Sequence, residues 1–305
     1  MAAREQYRQQ VSLLVQILPF VADEDCFALK GGTAINLFVR DLPRLSVDID
    51  LTYVPIEDRS SSLDAISDAL LRIADRVSSN VPRIQVHTGQ AAGANTVTKL
   101  NVRSPGAQVK VEVTPVLRGC VYEPEIQGVS ARVEHEFGFA EMRLLRFPEL
   151  YAGKIVAALD RQHPRDLFDV RDLLANEGID DELRRAFIVY LLSHNRPMSE
   201  VLAPTRKDIS QEFERGFLAM TELPVTLNEL LDAREQIIED IVGNMPLLHK
   251  EFLVSFEARE ADWSLLGVPN VEQLPAVRWR MENLASVTSE HHAALLDGLR
   301  KVLML

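Results

Sequence analysis

The sequence predicts an α+β protein in which strands and helices alternate early and a mostly helical C-terminal region follows. Three observations carry this. Residues 46–53 alternate strictly: Val47, Ile49, Leu51 and Tyr53 take one face, and Ser46, Asp48, Asp50 and Thr52 the other, the period of a half-buried strand. The run 108–116 repeats the pattern, with Val109, Val111 and Val113 opposite Lys110, Glu112 and Thr114. From residue 180 onward apolar residues recur at helical spacing.

In chain order, residues 4–21 place Val11, Leu14, Val15 and Leu18 on one helical face, expected to pack on the domain that follows. Phe27-Ala28-Leu29 is a short apolar run stopped by Gly31-Gly32, and residues 33–39 read as a helix. Ser60-Ser61-Ser62 marks a helix start, with Leu63, Ile66, Leu70, Ile73 and Val77 as its apolar stripe. Ile84-Gln85-Val86 and residues 96–102 read as strands, and Ser104-Pro105-Gly106-Ala107 as the turn before the strand at 108–116. Further on, Lys154, Ala157 and Arg161 share a helix face, and Pro164 ends that helix or starts the next, with Arg165 and Asp166 near its N-terminus. Phe187, Val189, Tyr190 and Leu192 belong to a helix, as do residues 225–242, 247–256 and 283–304. Trp263 and Trp279 are expected as core anchors, and the adjacent His291 and His292 as surface residues.

Composition narrows the function classes. The chain has 305 residues, 47 % apolar and 26 % charged, which is ordinary for a globular protein with two or three modest cores. No apolar run is long enough to span a membrane, and Met1-Ala2-Ala3-Arg4-Glu5-Gln6 leads into no signal-like apolar segment, so a cytoplasmic protein is expected. Cys26 and Cys120 lack metal-ligand spacing and read as core thiols of a reducing compartment. A formal net charge of −12 argues against a broad surface that coats nucleic acid. It leaves room for a local basic groove or a basic protein partner. There is no Walker loop, no Gly-x-Gly-x-x-Gly, no Gly-x-Ser-x-Gly and no His-Glu-x-x-His.

The chemistry concentrates between Lys30 and Tyr53. Two carboxylates one pleat apart, Asp48 and Asp50, repel each other and favour a cation between them. A hard divalent ion takes such oxygen ligands and keeps waters and substrate phosphates as the rest of its shell. A glycine turn opening a helix, Gly31-Gly32, exposes backbone N–H groups that suit a phosphate. Read separately, a Gly-Gly is a tight turn and an Asp-x-Asp a solvated face. In this order, flanked by Lys30 and Arg44, they read as one unit.

The pairing resembles the nucleotidyltransferase superfamily that includes DNA polymerase β. Lys30-Gly31-Gly32-Thr33-Ala34 followed by Arg44-Leu45-Ser46-Val47-Asp48-Ile49-Asp50-Leu51 is similar to the AbiEii/AbiGii toxin family, which includes the MenT-type toxins. So are Arg146-Phe147-Pro148-Glu149-Leu150-Tyr151-Ala152-Gly153-Lys154, the Ala157, Arg161, Arg165-Asp166 pattern beyond it, Asp262-Trp263, and residues 274–284. The resemblance thus extends over most of the chain. It implies a polymerase-β-like mixed sheet flanked by helices, divided as a nucleotidyltransferase core at 1–125, a linker and helices completing the active site at 126–200, and a C-terminal helical domain at 201–305. It implies Mg2+ or Mn2+ held by Asp48 and Asp50, with Glu112 as third ligand or base, and Lys154 and Asp166 completing the site from the helical half. Gly31, Gly32 and Thr33 would hold phosphate oxygens, Arg44, Lys154 and Arg161 would neutralise the triphosphate or leaving pyrophosphate, and Lys30 would contact nucleotide or support the loop.

The implied activity is transfer of a nucleotide from a nucleoside triphosphate to an acceptor, with release of pyrophosphate, by a toxin of a toxin–antitoxin or phage-abortive system. The acceptor is expected to be RNA, in particular the 3′ end of transfer RNA, and a cognate antitoxin from the same operon is the expected partner. A nucleotidyltransferase acting on a small molecule or protein hydroxyl is the alternative, which the acidic net charge favours. A non-catalytic nucleotide-binding regulator is a third reading, against which the intact Asp-x-Asp stands. Arg143, Arg146, Arg161, Arg165 and Arg171 are the expected RNA groove. Lys154, as a lysine at a cleft, is expected to matter little for stability. Ser46 is expected to shape the turn into the strand by hydrogen bonding, and as a second reading to be a control point where an added phosphoryl or nucleotidyl group would compete with the triphosphate.

Overall fold

The computed structural model describes residues 2–90 and 96–305, so Met1 of the N-terminal reading lies outside it. The chain divides into two compact units, Met1–Arg146 with Arg215–Val225, and Phe147–Glu214 with Thr226–Leu305.

The first unit is α+β. Its strands are β1 (Phe27–Lys30), β2 (Asp48–Tyr53), β3 (Gln85–Gln90), β4 (Val97–Ser104), β5 (Ala107–Val113), β6 (Glu125–Gly128) and β7 (Glu141–Leu144). They form one seven-stranded sheet in the order β3-β4-β5-β2-β1-β7-β6. The sheet is mixed: β2 pairs parallel with β5 and β1 parallel with β7, while the other neighbours are antiparallel. It continues past residue 125, because β6 and β7 extend it beyond β1. Strand β5 stops at Val113, short of residue 116, since Pro115 has no N–H to offer the ladder.

Helix α1 (Ala2–Ala22) packs against β5 and β7, and α3 (Arg59–Asn80) against β3 and β4. Leu100, Val102, Val109, Val111 and Val113 are buried beneath them at no more than 1 % exposure, as are Ile66, Leu70, Ile73 and Val77 of the α3 stripe. The N-cap of α3 is Asp58, whose side chain accepts from the Ser61 N–H, so the helix starts just before the serine cluster. Glu24, just past α1, receives Arg72 Nε at 3.0 Å and Arg76 Nη2 at 2.5 Å from α3. Helix α2 (Gly31–Ala34) runs on into a π-helical turn at Ile35–Val39, and α4 (Ala131–Phe137) lies between β6 and β7 in sequence. The segment Arg215–Val225 returns to this unit: the Leu45 N–H donates to Met220 O at 2.9 Å, and Arg4 Nη1 to Thr221 O at 2.7 Å.

The second unit is helical. It opens with α5 (Phe147–Asp160), α6 (Pro164–Asn176) and α7 (Asp181–Leu192), followed by the short α8 (Met198–Leu202) and α9 (Ser210–Glu212). Then come α10 (Leu227–Ile238), α11 (Leu247–Glu257), α12 (Trp263–Leu266), α13 (Pro275–Ser286) and α14 (Ser289–Leu303). Helix α5 packs against α6 and α7, and α10 against α6. Pro164 opens α6 at its first turn. A capping box between Thr226 and Glu229 starts α10, and the segment expected at 225–242 ends in a π-helical turn at Glu239–Gly243. Residues 283–304 are not one helix: α13 ends at Ser286, and Thr288 caps α14 by accepting from the His291 N–H. Trp263 packs on Phe252 and Phe256, with ring centroids 5.5 and 6.0 Å away, as an anchor should. Trp279 does not, being 49 % exposed on α13. His292 is half-buried against the Glu257 carbonyl, so only His291 is a surface residue.

Candidate active site

The glycine turn and the aspartate strand are fitted to each other. Gly31 has φ +73°, a left-handed conformation that side chains disfavour, and a Cβ there would lie 2.8 Å from Asp50 Oδ2. A Cβ on Gly32 would lie 2.7 Å from Arg44 Nη2 and 2.9 Å from Ser46 Oγ. Gly31 needs glycine for its backbone conformation, and at Gly32 a Cβ would require the Arg44 and Ser46 side chains to shift. Thr33 fastens it from below: its hydroxyl donates to the Asp48 carbonyl and lies 3.1 Å from Ser46 Oγ. Thr33, Ser46 and Arg44 are all buried, and Arg44 Nη1 donates to Leu45 O at 3.1 Å. Their places in the structure are beneath the turn, where they set its position; Ser46 has the hydrogen-bonding surroundings of the first of its two expected roles.

Strand register assembles the rest. Lys30 lies opposite Asp50 on one side, and Glu112 beside Asp50 on the other, while Lys110 lies beside Asp48. Lys30 Nζ donates to Thr114 Oγ1 at 3.2 Å. Glu112 Oε2 accepts Lys110 Nζ at 2.6 Å, and Oε1 stands 3.3 Å from Lys99 Nζ. Partial burial pushes the Glu112 carboxyl up, but the two lysines outweigh it and hold the group below the usual carboxylate range. Among the described residues no three histidines, cysteines or carboxylates converge as a ready metal-binding group. The adjacent oxygen donors of Asp48 and Asp50 suit a hard divalent ion. Glu112 is turned to lysines in this structure.

The second motif forms a cluster of its own within the helical unit. Lys154 Nζ stands 3.0 Å from both Asp166 Oδ1 and Asp169 Oδ2, and Arg161 Nε donates to Asp166 Oδ2 at 2.5 Å. Lys154, Asp166 and Asp169 are 7 %, 0 % and 1 % exposed, whereas Arg161 is 60 % exposed. Burial pushes the Asp166 carboxyl up, but Lys154 and Arg161 more than offset it and hold it far below the usual range. The expectation that Lys154 is peripheral to stability is therefore corrected: it is the counter-ion of two buried carboxylates. Asp169 escaped the sequence reading, although its i, i+3 spacing from Asp166 was a usable signal.

Of the arginines of the expected groove, Arg143, Arg146 and Arg171 have these neighbours. Arg143 binds the Asp25 carbonyl and lies 3.7 Å from its carboxylate, and Arg146 lies 4.0 Å from Glu125. Arg171 pairs with Asp172 at 2.8 Å and lies over the Phe168 ring at 4.3 Å. Cys26 and Cys120 are half-buried free thiols, and burial pushes the Cys26 thiol up to about 11. Among the described residues no helix is long and apolar enough to cross a membrane.

Against known families, residues 12–283 match the family described as nucleotidyl transferase AbiEii toxin, type IV toxin–antitoxin system. No curated protein sequence matches the chain. Among solved structures the fold is similar to MenT4, a nucleotidyltransferase toxin from Mycobacterium tuberculosis H37Rv, with a TM-score of 0.59 at 14 % identity over 99 % of this chain and 95 % of that one.

Proposed function

The chain belongs to the AbiEii nucleotidyltransferase toxin family of type IV toxin–antitoxin systems, and from that premise we propose that it moves a nucleotide from a nucleoside triphosphate to an RNA acceptor, in particular the 3′ end of transfer RNA. The observation that supports a working site is the close approach of Gly31, in its left-handed conformation, to Asp50, where a Cβ would lie 2.8 Å from Oδ2, so that the turn's backbone lies beside that carboxylate. In the reaction the acceptor hydroxyl oxygen bonds to the α-phosphorus while the α–β phosphoanhydride bond breaks. Pyrophosphate leaves, and the hydroxyl proton passes to a carboxylate, for which Glu112 is the candidate, and on to solvent. A divalent ion such as Mg2+ or Mn2+, held by Asp48 and Asp50, would supply Lewis acidity and charge screening.

The chain's own residues divide the remaining work. The Gly31-Gly32 turn offers N–H groups to phosphate oxygens, with Thr33, Ser46 and Arg44 holding it in place and Lys30 adding charge next to Asp50. Lys110 and Lys99 keep Glu112 ionised, the form that can accept a proton. In the helical unit Arg161 has the accessible surface to meet a phosphate, and Asp166 and Asp169 hold Lys154. A cognate antitoxin is the expected partner. The test is incubation of the protein with each labelled nucleoside triphosphate, total RNA and cell extract, with and without a divalent ion. Label on RNA that requires the ion and Asp48 supports the reading; label on protein or a small molecule, or none, rejects the RNA acceptor.

A further inference from the structure

The sheet of the first unit has two unlike faces. Leu100, Val102, Val109, Val111 and Val113 point under the helices. The alternate residues of β4 and β5 point the other way, and register makes them continuous with the aspartate pair. Lys99 lies beside Glu112, which lies beside Asp50. Asn101 lies beside Lys110, which lies beside Asp48. Arg103 lies beside Gln108 one row further out, and β3 adds His87 opposite Asn101 and Gln85 opposite Arg103.

This face is accessible, and it places three cations beside the carboxylates on an acidic chain. Lys99 and Lys110 are 37 % and 35 % exposed, and Arg103, Gln108, Gln85 and His87 are exposed. Lys99 and Lys110 pair with Glu112, and Arg103 lies one row further along the same face. Arg103 donates Nε to the neutral Gln108 Oε1 at 2.8 Å, which orients the guanidinium without cancelling its charge. Lys99 and Arg103 are four residues apart on β4, about 13 Å along the strand. Charges spread over that length suit an extended polyanion better than one compact phosphate group.

We infer that the outward face of β3, β4 and β5 is the docking track for the acceptor RNA, with Lys99, Arg103 and Lys110 contacting backbone phosphates and the strand's end directed at Asp48 and Asp50. This rests on the RNA-acceptor reading and gives it a surface beside the aspartate pair. Asn101, Gln85 and His87 offer hydrogen bonds to sugar and base along the same face.

The test compares the full-length protein with Lys99→Gln and Arg103→Gln, both at accessible positions, using a bulk transfer RNA mixture. Binding is followed by fluorescence anisotropy across a salt series, with thermal melting as the check on folding. Each variant is expected to weaken RNA binding by ~5-fold or more at moderate salt and to lower the slope of log Kd against log salt by about one unit. Fluorescent nucleotide binding by Arg103→Gln, measured alongside, is expected to persist. If wild type binds and labels RNA while both variants keep its affinity and slope, the track is wrong and the RNA acceptor stands. If wild type neither binds nor labels RNA, the acceptor reading falls and the track with it.

Discussion

The two charged clusters are built on opposite physical terms. On the sheet, Glu112, Lys110 and Lys99 are 34 %, 35 % and 37 % exposed. Ion pairs in such a setting contribute roughly 0–1 kcal/mol each, so their members can change partners when a ligand arrives. In the helical unit Lys154, Asp166 and Asp169 are buried almost completely. Such charges have lost their hydration and depend on one another, and removing one partner costs roughly 3–5 kcal/mol. The sheet cluster is suited to exchange, and the helical cluster to holding a fixed geometry.

Lys154→Ala is expected to have the largest effect on stability. It takes the lysine away from two buried carboxylates, of which Asp166 keeps Arg161, and a loss of about 3–5 kcal/mol is expected in urea unfolding at neutral pH. A loss below about 1 kcal/mol would show that the cluster is not structural. Asp166 sharpens the point through pH. Its folded pKa is depressed, so its contribution is fully present above the unfolded value of about 3.9 and is lost as pH falls towards the folded value. Unfolding midpoints of wild type should therefore fall steeply below about pH 4, and Asp166→Asn should flatten that limb from an already lower stability.

The aspartate pair should behave in the reverse sense. Asp48→Asn and Asp50→Asn are expected to lower nucleotide transfer by more than about 100-fold, since groups one shell removed from a metal already cost 10–100-fold. Stability should stay within about 0.5 kcal/mol, as for most accessible substitutions. Metal-dependent transfer near the wild-type rate would remove these residues from the site. Gly32→Ala comes next. Its Cβ meets Arg44 and Ser46, so a destabilisation of about 1–3 kcal/mol with weakened nucleotide binding is expected by calorimetry. The smallest effect belongs to Trp279→Ala: its ring is half exposed, and a change within about 0.5 kcal/mol is expected, against about 3 kcal/mol or more for Trp263→Ala in its aromatic cluster.

Much of the fold was legible because its signals are local. Alternation at 47–53 and 109–113 marks strands, the stripe from Ile66 to Val77 marks α3, and Pro164 marks the start of α6. The break at Val287 was not: an apolar and helical pattern continues across it, and only the Thr288 cap interrupts it. The exposure of Trp279 was hidden for a related reason, since residue type states how apolar a side chain is and not what packs beside it. Among the site residues, Asp48, Asp50, Gly31 and Gly32 were visible as a motif. Asp169, Lys99 and the burial of Lys154 were not, because each depends on which chain segment comes alongside.

The strand-and-glycine unit and the residues that share a face are set locally along the chain, because periodicity along one strand or helix follows from backbone geometry alone. Tertiary structure decided what those residues touch. It pressed Gly32 onto Arg44 and Ser46, set Glu112 between two lysines, and buried Lys154 between Asp166 and Asp169. These outcomes depend on strand order and helix packing between residues distant along the chain. A charge changes role with its solvent: the same lysine is an exchangeable counter-ion on an open sheet and a fixed one in a core.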